Sequence, residues 1–294
     1  PLSNGNYVVG SEYFDHGGIQ GAQDAGAVTW CSGTTVTTGV VSASNSLVGS
    51  SWRDEVGRRG TVHALAGGHY VVASPNWNLS ESAKDAGAVT WGNGNGGTTG
   101  PITAANSLVG SSWSDEVGRS LLVLKNGNYV TYTPNWDRNG SSNHGAITWG
   151  SATAGVFGPV SAANSLIGTI WLEGLGYHAP FPLANGNYVV LQTRGNLKPV
   201  SATLGDGSAG SRGEVHEGNT GYALDTDTST FSSEPLRVVP DDARGIFYVS
   251  STDAGRVLAA SQATGFPTTS STLERADGVA LITGQVVDFG KVAR

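Results

Sequence analysis

The chain has 294 residues, of which only 13% are charged while 44 are glycine, and it carries a net charge of −7 with a pI near 5.3. An acidic chain without a basic stripe lacks the clustered lysine and arginine on which phosphate binding depends, which excludes nucleic acid as a partner class. No run approaches the roughly twenty apolar residues of a membrane span, so no membrane insertion is expected, and the single Cys31 excludes an intrachain disulfide.

Along the chain, Asn4-Gly5-Asn6-Tyr7-Val8-Val9 is followed by a segment ending Gly26-Ala27-Val28-Thr29-Trp30, then by Asn45-Ser46-Leu47-Val48-Gly49 and the loop carrying Trp52 and Asp54. The same order returns. Tyr7, Tyr70, Tyr129 and Tyr188 stand 63, 59 and 59 residues apart, Trp30 recurs as Trp91 and Trp149, and Leu47 recurs as Leu108 and Leu166. Three landmarks in fixed order define a repeat of about sixty residues built on one supersecondary unit.

Within a unit the apolar segments are short, rich in valine and aromatics, and bounded by glycine, asparagine, serine and threonine, which predicts strands and turns with almost no helix. In the second unit strands are predicted at Ala88–Trp91, Ser107–Gly110, Leu121–Leu124 and Asn128–Thr133. Lys125-Asn126-Gly127 joins the last two, where Asn-Gly predicts a type I′ hairpin turn.

Four strands in about sixty residues fit one blade of a β-propeller, an all-β fold of four-stranded antiparallel blades. Residues 1–195 supply three complete units and the start of a fourth; 196–294 form a divergent region that lacks tryptophan. Strand pairs are predicted there at Gly245–Ser251 with Gly255–Ser261 and at Gly278–Thr283 with Gln285–Phe289. Closing the ring with these gives about five blades. The alternatives are a repeat β-array or β-helix with a separate C-terminal β-domain for assembly.

The eight tryptophans fall into three classes. Trp30, Trp91 and Trp149 end a strand and are expected to pack between blades. Trp52, Trp113 and Trp171 lie in polar loops, with Asp54, Asp115 and Glu173 two residues further on. Trp77 and Trp136 stand in Pro75-Asn76-Trp77 and Pro134-Asn135-Trp136. An aromatic ring in a polar loop offers a flat apolar face to a sugar ring, and a nearby carboxylate can accept from its hydroxyls. The other reading is structural: the ring covers a blade end and the acid caps backbone N–H groups.

Signals for chemistry are weaker. A glycosidase needs two carboxylates about 5 to 9 Å apart, yet these acids repeat with the period. The six histidines show no His-x-His or His-Glu-x-x-His spacing. No catalytic residue, metal site or cofactor is expected. Asn78-Leu79-Ser80 and Asn139-Gly140-Ser141 match the glycosylation sequon.

Taken together, Asn-Gly-Asn-Tyr-Val-Val, Pro-Asn-Trp, Gly-Ala-Val-Thr-Trp, Asn-Ser-Leu-Val-Gly and Asp-Glu-Val-Gly resemble a repeat of very large bacterial surface proteins, some of them filamentous-haemagglutinin-like or adhesin-like. The resemblance covers residues 1 to about 195. It departs at Asn143-His144, where Asp24-Ala25 and Asp85-Ala86 stand in earlier units, and at Thr193-Arg194-Gly195, where Pro-Asn-Trp is lost. The resemblance implies an extracellular or bacterial cell-surface location. The expected function is non-enzymatic recognition of surface glycans through Trp52, Trp113, Trp171, Trp77, Trp136, Asp54, Asp115 and Glu173. The second expectation is a structural subunit that contacts other copies of itself.

Overall fold

The computed structural model describes residues 1–18, 21–169, 175–194, 198–215, 222–223, 236–251, 256–265, 271–274, 280–283 and 287–288. The described chain is all-β, apart from a 3-10 turn at Ala66–Gly68. Five sheets follow one another along it.

The first contains β1 (Tyr7–Ser11), β2 (Ala27–Cys31), β3 (Ser46–Val48) and β7 (Gly100–Pro101). The second contains β4 (Val62–Ala64), β5 (Tyr70–Ser74), β6 (Ala88–Gly92), β8 (Ser107–Val109) and β12 (Gly158–Pro159). The third has β9 (Leu121–Val123), β10 (Tyr129–Thr133), β11 (Ala146–Gly150), β13 (Ser165–Gly168) and β17 (Gly213–Val215). The fourth has β14 (Phe181–Pro182), β15 (Tyr188–Arg194), β16 (Lys198–Gly205) and β18 (Tyr222–Ala223). The fifth has β19 (Arg237–Asp241), β20 (Ile246–Ser251), β21 (Arg256–Ser261) and β24 (Val287–Asp288), while β22 (Ser271–Glu274) pairs with β23 (Ala280–Thr283).

Within each of the five sheets the first three or four strands in order pair antiparallel. The last strand of each of the first three sheets is different: β7, β12 and β17 come from the following unit and pair in parallel with β3, β8 and β13. Each unit thus hands a strap back to the one before it.

All four strands predicted for the second unit exist, but they do not share a sheet. β6 and β8 belong to the second sheet, whereas β9 and β10 open the third. The chain crosses between them through the loop of Trp113, which is held by a parallel bridge from Gly87 to Val117. In the C-terminal region the first expected pair is present as β20 with β21, while the second is replaced: β23 pairs with β22, and β24 with β21.

Alternation along each strand sends neighbouring side chains to opposite faces, and in the second, third and fourth sheets both faces are buried between sheets. Tyr70, Val72 and Ala88 of the second sheet pack with Val28 and Leu47 of the first. Val71 and Val89, one position along, pack instead with Tyr129 and Ile167 of the third. The series continues through Tyr188 and Val190 against Ile147 and Leu166, then through Phe247 and Val249 against Val189 and Ala202. Trp30, Trp91 and Trp149 are half-buried in the first three of these layers, as expected for packing between units.

None of the sheets closes on itself, and the described residues do not show a propeller ring; on one face of the first sheet Tyr7 is 41% and Val9 45% exposed. A parallel β-helix is likewise not what these antiparallel sheets form. The Asn-Gly turn also differs from expectation. Gly127 has φ 88° but Asn126 is not in the left-handed region, so the turn is not type I′. Asn126 and Asn128 are selected instead by what their side chains reach in the next unit.

There, one backbone carbonyl collects several donors. Gly94 O accepts from Asn4 Nδ2 at 2.8 Å, Asn6 Nδ2 at 2.9 Å and Trp30 Nε1 at 2.9 Å. Gly207 O accepts from Asn126, Asn128 and Trp149 in the same way. Gln262 O, in the fifth unit, accepts from Asn185 and Asn187. A side chain on Gly94 or Gly207 would overlap the carbonyl of Gly68 or Gly186, which explains glycine at those two positions.

Candidate functional site

Trp52 and Trp113 are 58% and 63% exposed at equivalent places of the first two units. Each projects from a loop that its own sequence holds rigid. Asp54 is buried two residues on; its Oδ2 accepts from the N–H groups of Ser50 and Ser51, both at 2.8 Å. Its Oδ1 accepts from the N–H and the side-chain amide of Asn78 in the second unit, both at 2.9 Å. Asp115 repeats the pattern with Ser111, Ser112 and the Asp137 N–H.

The neighbouring glutamates complete the clasp. Glu55 Oε2 accepts from Asn76 Nδ2 and Glu116 Oε2 from Asn135 Nδ2, each at 2.8 Å. The loop backbone is bound as well, since the N–H groups of Arg53, Glu55 and Val56 donate to the carbonyls of Gln23, Asp24 and Ala25. Arg53, Glu55, Ser114 and Glu116 all sit at positive φ, between 49° and 57°. A residue with a Cβ is held there at a cost of order 1–3 kcal/mol, and the surrounding hydrogen bonds offset it.

The structure therefore separates the candidate residues. Trp52 and Trp113 are on the surface, and Arg53 places its guanidinium 4.4 Å from the Trp52 ring centroid. Ser114 takes that place beside Trp113. Asp54 and Asp115 are buried caps, so the expectation that they accept from ligand hydroxyls is corrected: their oxygens are already occupied by backbone donors. Trp77 and Trp136 are corrected too, being buried in the layers between the first and second and the second and third sheets. Trp171 and Glu173 lie outside the described residues. Asn78 is a staple whose amide reaches Asp54 and the Trp52 carbonyl, so its sequon does not present a free acceptor.

The residues missed from the sequence are the partners in this clasp, Asn76, Asn78, Asn135, Glu55 and Glu116. Their signal was the joint recurrence of Asp-Glu-Val-Gly and Pro-Asn-Trp about twenty residues apart. Among the described residues no group of three or more His, Cys, Asp or Glu is arranged to hold a metal. An open cleft runs along the outer edge of β1, lined by Val8, Gly10, Phe14, Arg58, Arg59 and Val62. In the other units an outer strand pairs with the strand equivalent to β1.

Burial pushes the Asp115 carboxyl up to about 6, against the pull of its three N–H donors. The folded chain then holds this proton up to about pH 6, whereas the unfolded chain releases it near 3.8. Folding binds extra protons in that window, so this site's contribution to stability falls as pH rises from about 4 to about 6. Relative to Asp115→Asn, the wild type should lose up to about 3 kcal/mol across the window. Urea midpoints at several pH values measure this; an unchanged difference would mean that the hydrogen bonds cancel the burial effect.

Residues 1–58, 64–119, 123–177 and 182–220 match a family described as Repeat of unknown function (DUF5650). No curated protein matches the chain. Each match opens one residue before Leu2, Leu65, Leu124 or Leu183, buried leucines that follow the outer-strand position of each sheet. With four consecutive copies covering most of its length, the chain belongs to the DUF5650 repeat family.

Proposed function

We propose that this chain is a non-enzymatic, extracellular repeat module of a bacterial surface that binds neutral glycans on Trp52 and Trp113. The observation that carries the reading is the pair of exposed indoles at equivalent positions on loops whose strained backbone is locked by a buried carboxylate. A large aromatic surface turned to water on a rigid loop is preorganised for stacking, and it supplies contact area at little entropic cost. With the aspartates internal, hydroxyl contacts fall to the exposed Ser50 and Ser111 beside the rings. Two equivalent sites also raise the avidity for a repetitive ligand.

The test is a glycan-array screen of the wild type followed by titration of Trp113→Ala, Trp52→Ala and the double variant. Losing an aromatic anchor should weaken binding by at least about tenfold. The urea midpoint should stay unchanged, because neither ring is in the core. Full binding by a folded double variant, or no binding by the wild type, overturns the proposal.

A second reading, a structural subunit of an extracellular assembly, is favoured by the exposed Tyr7 and Val9, which stand where every later unit buries its counterparts. A five-bladed propeller would cover that face within one chain; the open series of sheets favours contact between copies.

A further inference from the structure

We propose that the free face of the first sheet docks the far face of the fifth sheet of a second copy, so that copies join head to tail in continuation of the internal stack. This deepens the assembly reading and is independent of the tryptophan loops.

Three observations converge on that face. Tyr70 and Val72, Tyr129 and Thr131, and Tyr188 and Val190 are all buried against the preceding sheet, while Tyr7 and Val9 at the same positions are exposed. The first sheet thus presents, uncovered, the surface that the array uses for its own contacts. The strap tells the same story. Gly100-Pro101 and Gly158-Pro159 pair in parallel with the preceding unit, and the carbonyls of Pro101 and Pro159 accept from Asn106 and Asn164. Val40 accepts from Asn45 in the same fold of the loop, yet Gly39-Val40 has no strand partner and Val40 is 87% exposed. Cys31, finally, replaces the glycine that lies under the tyrosine in later units. A side chain at Gly92 would overlap the Tyr70 ring, so beside Cys31 the Tyr7 ring cannot take the position that Tyr70 takes over Gly92.

The complementary face is on the fifth sheet. Phe247, Val249 and Val238 pack towards the fourth sheet, so the paired Val239 and Tyr248 point away from it, and Val239 is 52% exposed. β24 pairs with β21 as the fourth strand of its sheet, the place that β8 and β13 take in theirs and β3 in the first. In the first three sheets the strand at that position receives the parallel strap, and in the joined copies it is the acceptor for Gly39-Val40. A contact between two different surfaces does not close on itself and extends indefinitely unless one face is blocked.

The experiment uses two full-length variants, Tyr7→Asp/Val9→Asp to block the first sheet and Val239→Asp/Tyr248→Asp to block the fifth. Val239→Asp alone serves if the pair with Tyr248 lowers the urea midpoint. Sedimentation velocity should show wild-type species that grow with concentration, each variant alone as a monomer, and the equimolar mixture as a dimer and nothing larger. A wild type that stays monomeric at every concentration overturns the proposal and points to closure within one chain. A fifth-sheet variant that dimerises alone, or that forms a Cys31 disulfide dimer, overturns it in favour of two first sheets face to face. A mixture that stays monomeric also overturns it. Trp113→Ala should assemble like the wild type, so failure of glycan binding and failure of assembly are read separately.

Discussion

Asp115→Ala is expected to lower the stability of the folded chain by about 3 kcal/mol, far more than a substitution in a polar surface loop ordinarily costs. The carboxylate is fully buried and holds the N–H groups of Ser111, Ser112 and Asp137. Removing it leaves three donors without their acceptor, each costing about 1–3 kcal/mol if no water replaces it. Ser111 is exposed and its N–H can be hydrated, which brings the sum down. The loop also loses what offsets the positive φ of Ser114 and Glu116. The Asp137 contact crosses from the second unit to the third, so the substitution weakens a junction as well as a loop. Urea unfolding measures the cost. Glycan binding by the variant should fall too, because the Trp113 platform is no longer held. A midpoint within about 0.5 kcal/mol of wild type would mean that the loop is ordered by its backbone bonds alone.

How much of this was legible in the sequence differs by landmark. The period, the strand class and the interlayer place of Trp30, Trp91 and Trp149 followed from recurrence and alternation, because those signals are local and repeated. Grouping strands into sheets did not follow. The hairpin Leu121–Thr133 sits next in sequence to Ser107–Val109 but belongs to the next sheet, and the crossing is held by long-range contacts, the Gly87–Val117 bridge and the grip of Asp115 and Glu116 on Asp137 and Asn135. The Asn-Gly-Asn motif was misread for the same reason. Its local meaning is a turn, while its recurring chemistry within this chain is the grip of Asn126 and Asn128 on Gly207 O, 81 and 79 residues away. Trp52 and Trp113 share the loop, the acid and the spacing of a ligand site, yet burial divides the pair: the ring is outside and the carboxylate inside. Sequence alone offers nothing that distinguishes a carboxylate facing a ligand from one capping a turn.

The second large effect is expected at Tyr129. It is fully buried, lies against Gly150 across the β10–β11 pair, and packs with Leu65, Val71 and Val89 of the second unit. Truncating a buried aromatic to alanine costs about 3–5 kcal/mol, and here the lost contacts lie in the layer between two units. In a stacked array stability is close to a sum of unit terms and nearest-neighbour interface terms, so weakening one interface should uncouple the halves that it joins. Tyr129→Ala is therefore expected to convert a single urea transition into two, with the first two units unfolding apart from the third and fourth. Tyr7→Ala is the internal control. It occupies the same repeat position but faces solvent, so its cost should be below about 1 kcal/mol in dilute solution and should rise with protein concentration if copies stack on that face. Equal costs for Tyr7→Ala and Tyr129→Ala at low concentration would show that the tyrosine stabilises its own sheet rather than the contact between sheets, and the stacking account of the array would fall with it.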